Sequence, residues 1–196
     1  KQTACLALSD GTVFFGEGFG LTGQTTAELC FNTSMTGYQE ILTDPSYAGQ
    51  IVTFTFPHIG NVGVNFEDNE ASKPFACGMV VKWRPTLASS WRAKQNLIQW
   101  LESNKLIAIG GVDTRRLTRT IRKQGAPHVA LEHNPNGKFN TDALIEEAKR
   151  FEGLSGLDLA KNVTAGTKYN WTQDRWKWAK GYRKIGGNKA RVVSID

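Results

Sequence analysis

The stretch Leu106-Ile107-Ala108-Ile109-Gly110-Gly111-Val112-Asp113-Thr114-Arg115-Arg116-Leu117-Thr118-Arg119-Thr120-Ile121-Arg122-Lys123-Gln124-Gly125 decides the fold class. Leu106–Ile109 is a short, wholly apolar run, which reads as a buried strand, and Gly110-Gly111 breaks it. Asp113 then offers a carboxylate as N-cap, Leu117 and Ile121 lie four apart on one helical side, and Gly125 closes the helix. Upstream, Cys77–Val81 reads as another strand, followed by Arg84-Pro85. From Ser89 or Ser90, as N-cap, a second helix is expected to run to about Asn104, with Leu97, Ile98 and Leu101 on one side and Trp100 adjoining. The order is β-α-β-α, which predicts an α/β domain.

Working outward, Val129–Leu131 continues as a strand, and Asn140 or Thr141 caps a helix through Arg150. The first half is richer in strands. Ala4–Leu8 and Thr12–Phe15 flank Ser9-Asp10-Gly11, a hairpin signal, and Glu28–Phe31 and Ile51–Phe56 read as further strands. Gly16, Gly18, Gly20 and Gly23 read as bends between strands, because no amphipathic helix follows them to make a phosphate cradle. Helices gathered after a strand-rich half predict sheets with helices on one side.

The length of 196 residues suits one compact core with a tail, and 40% apolar with 21% charged residues is ordinary for a globular protein. There is no apolar run long enough to cross a membrane, and Lys1-Gln2-Thr3-Ala4 carries no signal-peptide core, so a cytoplasmic, membrane-free protein is expected. Cys5, Cys30 and Cys77 are an odd number in apolar settings and read as buried thiols. His58, His128 and His133 have no metal-ligand spacing to them. The basic balance is local: residues 161–196 hold nine bases and two acids, a charge of +7, whereas residues 1–160 hold fifteen bases and sixteen acids, a charge of −1.

Between the early strands lies Asn32-Thr33-Ser34-Met35-Thr36-Gly37-Tyr38-Gln39-Glu40-Ile41-Leu42-Thr43-Asp44-Pro45-Ser46-Tyr47. Its composition is that of a loop presenting polar groups, with at most a turn or so of helix over Tyr38–Leu42 before Asp44-Pro45. A second run, Pro57-His58-Ile59-Gly60-Asn61-Val62-Gly63-Val64-Asn65, follows it. Together with Asp113–Arg119, Gly153–Lys161 and Trp171-Thr172, these runs resemble the amino-terminal domain of the small, glutamine-hydrolysing subunit of carbamoyl phosphate synthetase, over roughly residues 1–172.

The resemblance implies a three-layer β/β/α domain with a mixed sheet over residues 1–165, a basic aromatic linker over 166–190, and, in 191–196, the first strand of a truncated class I glutaminase domain. It implies that the catalytic Cys, His and Glu belong to that following domain, so no catalytic residue is expected within these 196. One substrate-binding residue is implied, Ser46, whose counterpart in the family's Asp-Pro-Ser-Tyr run reaches bound glutamine. A hydroxyl that both donates and accepts suits an amino-acid head group. No cofactor is expected in this chain. ATP and magnesium are expected on a large subunit, the implied partner, which receives ammonia and makes carbamoyl phosphate for arginine and pyrimidine synthesis. L-glutamine is the implied ligand, through the following domain.

Other readings attach to the same residues. Read alone, Ser46 is a turn residue after Pro45. The bases along 115–123 fit a docking face for an anion or the large subunit, or simply a solvated helix face over Leu117 and Ile121. His58 fits loop ordering by hydrogen bonding better than proton transfer. Trp171, Trp176 and Trp178 among bases are the best support for a different class, a stand-alone binding module for nucleic acid or another anionic partner. No RNA-binding signature accompanies them, and a linker to a following domain explains them with less.

Overall fold

A computed structural model describes residues 1–178, 180–186 and 192–195. The chain divides into two compact units, Lys1–Leu157 and Asp158–Asp196. The first unit carries seven strands, β1 (Ala4–Leu8), β2 (Val13–Gly20), β3 (Gly23–Asn32), β4 (Gln50–Phe54), β5 (Gly78–Val80), β6 (Ile107–Gly110) and β7 (His128–His133). Its helices are α1 (Tyr38–Thr43), α2 (Leu97–Ser103), α3 (Thr114–Gln124) and α4 (Thr141–Arg150).

The α/β class and the mixed sheet are as expected, but the sheet does not remain an open layer. It closes into a barrel in the order β1-β2-β6-β5-β4-β3-β7, with β7 pairing back to β1 from Ala4↔His133 to Leu8↔Val129. The β3–β4, β4–β5 and β5–β6 pairs are parallel and the other four antiparallel. Closure leaves no strand edge to protect. Alternation along β1 shows the two faces: Ala4, Leu6 and Leu8 join Leu29, Ile51, Ile109 and Leu131 in one core, which Leu117 and Ile121 of α3 complete. Cys5 and Ala7 face the other way, under Leu144 and Ala148 of α4. A third cluster joins Val52, Phe54, Met79 and Ala108 to Tyr38, Leu42, Leu97 and Leu101 of α1 and α2. The helices therefore cover more than one stretch of the barrel, not the single side expected.

Two local expectations are corrected. Of the glycines expected to bend the chain between strands, Gly16 and Gly18 instead lie within β2, whereas Gly20 (φ 76) ends β2 and Gly23 (φ 144) starts β3, on either side of the bend at residues 21–22. A Cβ on Gly18 would stand 2.1 Å from the His133 ring, so glycine is what lets β2 approach β7. The helix expected from Ser89 or Ser90 begins only at Leu97, where Asn96 accepts a hydrogen bond from the Gln99 N–H at 2.9 Å. Ser89 instead donates its backbone N–H to the Asn61 carbonyl at 2.9 Å, which holds residues 89–96 as a connecting loop. By contrast α3 and α4 start where expected, on Asp113 and Asn140.

The second unit contains a four-residue helix, α5 (Ala160–Val163), and a looped segment closed by the isolated bridges Gln173↔Lys184 and Lys177↔Gly181. Of the strand expected over 191–196, Val192–Ile195 adopt no regular element, and Arg191 and Asp196 lie outside the described residues.

Candidate functional site

β3 and β4 are parallel neighbours, so the chain between Asn32 and Gln50 must cross over, and the polar run 32–47 is that crossover. It leaves the carboxyl end of a parallel strand, the end from which α/β folds characteristically present functional groups. Helix α1 follows Gly37, which sits at φ 80 and supplies no side-chain cap. Asp44, preceding Pro45, is extended and ends the helix.

The Asp44-Pro45-Ser46-Tyr47 turn is pinned from both sides. Asp44 Oδ1 accepts the Ser46 N–H at 2.8 Å, and the Asp44 carbonyl accepts the Tyr47 N–H at 3.1 Å. Tyr47 Oη accepts from Asn32 Nδ2 at 2.9 Å, which ties the far side of the turn to the end of β3. Ser46 is left exposed at the tip.

The near side is anchored through α1. The Tyr38 hydroxyl donates to the Gly63 carbonyl at 3.1 Å. Burial pushes its pKa up to about 12, so it stays a donor at neutral pH. Gln39 Nε2 donates to the Asn65 carbonyl at 2.6 Å and to Asn69 Oδ1 at 2.7 Å, while Gln39 Oε1 accepts the Asn65 N–H at 3.0 Å. Thr43 Oγ1 donates to the Gln39 carbonyl at 2.8 Å and accepts the Glu70 N–H at 3.0 Å. The structure thus joins the two runs that carry the sequence resemblance, 32–47 and 57–65.

Asn65 extends the network. Its Oδ1 accepts the N–H groups of Glu67 and Asp68, its Nδ2 donates to Asp68 Oδ2 at 2.7 Å, and Arg92 grips Asp68 with two bonds, at 2.6 and 3.1 Å. Beside this network lies a cleft of about 230 Å³ lined by Gly37, Glu40, Val62, Gly63, Asp68 and Arg92, among others. Burial raises the Glu40 carboxyl above the usual carboxylate range; the charges of Asp68 and Glu70 add to this and Arg92 opposes it. Sequence reading missed Gln39, Asp68 and Arg92. Their partners lie 24 to 30 residues away, and no periodicity encodes such pairings.

The remaining candidates stand elsewhere. His58 is exposed, with its ring edge-on to Phe56 at 6.0 Å between centroids. On α3 the side chains of Leu117 and Ile121 are buried while Arg115, Arg119, Arg122 and Lys123 face solvent, and Arg116 lies 5.2 Å over the Phe14 ring. Burial pushes the Cys5 thiol up to about 11, that of Cys30 up to about 12, and that of Cys77 upward, which keeps all three from acting as thiolates at neutral pH. Among the described residues no group of three His, Cys, Asp or Glu side chains is placed to hold a metal ion, and no helix is long and apolar enough to cross a membrane. In the second unit Trp171 and Trp178 are exposed, and Trp178 meets Trp176 edge-on at 6.2 Å.

Residues 6–131, which include all seven strands in whole or part and the pinned turn, match the family model described as carbamoyl-phosphate synthase small chain, CPSase domain. The chain belongs to this family. Carbamoyl phosphate synthase small chains from Ruegeria pomeroyi, Agrobacterium fabrum and Rhizobium meliloti are 66%, 52% and 50% identical to it. Each match takes in all of this chain and 50% of the relative, so this small-chain sequence spans about half the length of the curated relatives it matches. Relative to them it corresponds to the CPSase domain and the segment after it.

Proposed function

We propose that this chain is the amino-terminal part of the small subunit of a glutamine-hydrolysing carbamoyl phosphate synthetase, with residues 1–165 as its first domain, 166–190 as a basic aromatic linker and 191–196 as the start of a class I glutaminase domain. In the layered description that goes with this reading, facing walls of the barrel are the two β layers and the outer helices the third. In the intact subunit a Cys thiolate of the following domain attacks the side-chain amide carbon of glutamine, ammonia leaves, and water hydrolyses the thioester to glutamate. The ammonia passes to the large subunit, where ATP, with magnesium, and bicarbonate convert it to carbamoyl phosphate in the cytoplasm. This chain holds none of the catalytic groups. It contributes contact with the large subunit and one ligand of the substrate.

The observation that carries the reading is the exposed Ser46 on a turn pinned at 2.8 and 3.1 Å by Asp44 and at 2.9 Å through Asn32 and Tyr47. A hydroxyl held on a rigid tip makes a ground-state contact with little ordering cost. In the full-length small subunit paired with its large subunit, Ser46→Ala raises the KM for glutamine more than it lowers kcat, because a contact made equally to substrate and transition state is lost. Steady-state glutaminase kinetics check this, and an unchanged KM removes Ser46 from the site.

A further inference from the structure

Ser46 is exposed and its own turn is three residues long, so the stiffness of its placement has to come from what flanks it. On the near side that flank is α1, six residues with no side-chain cap, too short to hold itself in water. Its inward groups include Gln39, 2% exposed, which uses both of its amide donors and its carbonyl oxygen on the 65–69 loop. That loop is in turn closed by Asn65 onto Asp68, and Asp68 is held by the two-bond grip of Arg92. We propose that Gln39, braced through Asn65 and Asp68 by Arg92, is a positioning residue for Ser46, so that an ion pair four links from the ligand sets the affinity for the glutamine side of the reaction. The inference rests on the reading of Ser46 given above.

Two-bond carboxylate pairing is the geometric element, because a planar guanidinium fixes the orientation of Asp68 as well as its charge. Arg92 is the residue to change first, since it is partly exposed, with 22% of its side-chain surface accessible, and it bonds the Asp68 carboxylate directly. The test is a double-mutant cycle in the full-length small subunit with its large subunit, reading glutamine KM and kcat separately. Arg92→Ala is expected to raise KM roughly threefold to tenfold with kcat held within about twofold, and to add less than about 1.5-fold in a Ser46→Ala background. Arg92→Lys, which keeps the charge but not the planar two-bond pairing, recovers part of the loss, and should the alanine variant not fold, Arg92→Gln reads the same cycle. A mere loss of folded protein lowers kcat and leaves KM where it was. An equal rise in KM in both backgrounds, or no rise from Arg92→Ala while Ser46→Ala raises KM, overturns the positioning role alone. If Ser46→Ala itself leaves KM unchanged, the reading of Ser46 fails and takes this inference with it.

Discussion

Helices α1 and α4 both lie against the outside of the same barrel, and they are held there by different means. Along the ten residues of α4, Leu144 and Ala148 repeat at i and i+4 and pack on Cys5, Ala7 and Ala130, with Asn140 as cap. That is the ordinary amphipathic solution. Along the six residues of α1, Tyr38 and Leu42 reach an apolar cluster, but Gln39 and Thr43 beside them are equally buried at 2% and 1%. The Gln39 amide is satisfied by a loop that lies more than twenty residues further along the chain, and Thr43 Oγ1 accepts from the same loop while donating within α1. Helix α4 is held mainly by apolar burial, which is non-directional. Helix α1, which leads to Ser46, is held also by directional bonds, which suits the role proposed for that residue.

Truncating one anchor on each helix separates the two means. Leu144→Ala removes buried aliphatic surface and leaves a cavity, with an expected cost of about 2–4 kcal/mol, read by chemical denaturation of the full-length protein. Protection of the α4 amides against hydrogen exchange falls with it, and that of the α1 amides does not. Gln39→Ala strands the buried N–H and carbonyl of Asn65 and is expected to cost about 1–3 kcal/mol, with loss of protection concentrated in α1. If Gln39→Ala leaves α1 protected, then Tyr38 and Leu42 hold it by apolar burial and the contrast between the helices disappears.

The same contrast explains what sequence made legible. The positions of α3 and α4, with their caps on Asp113 and Asn140, followed from local signals, because cap, period and stop lie within one short stretch. Barrel closure did not. It depends on β1 finding β7 across more than a hundred residues, and on Gly16 and Gly18 being read as close approaches within a strand rather than as bends. Of the site, the turn at Asp44-Pro45 and the brevity of α1 were readable from Pro45. The role proposed for Ser46 came from resemblance, not from its chemistry. Gln39, Asp68 and Arg92 were invisible because a buried polar network is written in pairings, and a single sequence shows residues without their partners.

Titration sharpens the comparison further, because each helix carries a carboxyl shifted in the opposite direction. Burial raises the Glu40 carboxyl of α1 above its usual range, whereas the Glu146 carboxyl of α4 is lowered by Lys149, 2.9 Å away. For Glu40 the folded state holds the proton more tightly than the unfolded chain. Its favourable contribution is therefore complete below the unfolded value and is lost as pH rises through the raised one. For Glu146 the sign reverses: its contribution is present above the unfolded value and fades as pH falls through the lowered one, and its exposure to solvent keeps it weak. Glu40→Gln, which keeps the shape and removes the charge, is expected to stabilise the protein at neutral pH by less than about 1 kcal/mol once solvent screening is allowed for. That advantage vanishes below about pH 4, where the wild-type carboxyl is protonated in both states. Urea midpoints measured across this range check the sign. A Glu40→Gln protein whose advantage is as large in acid as at neutrality has gained from packing, and the cleft then imposes no charge penalty on α1.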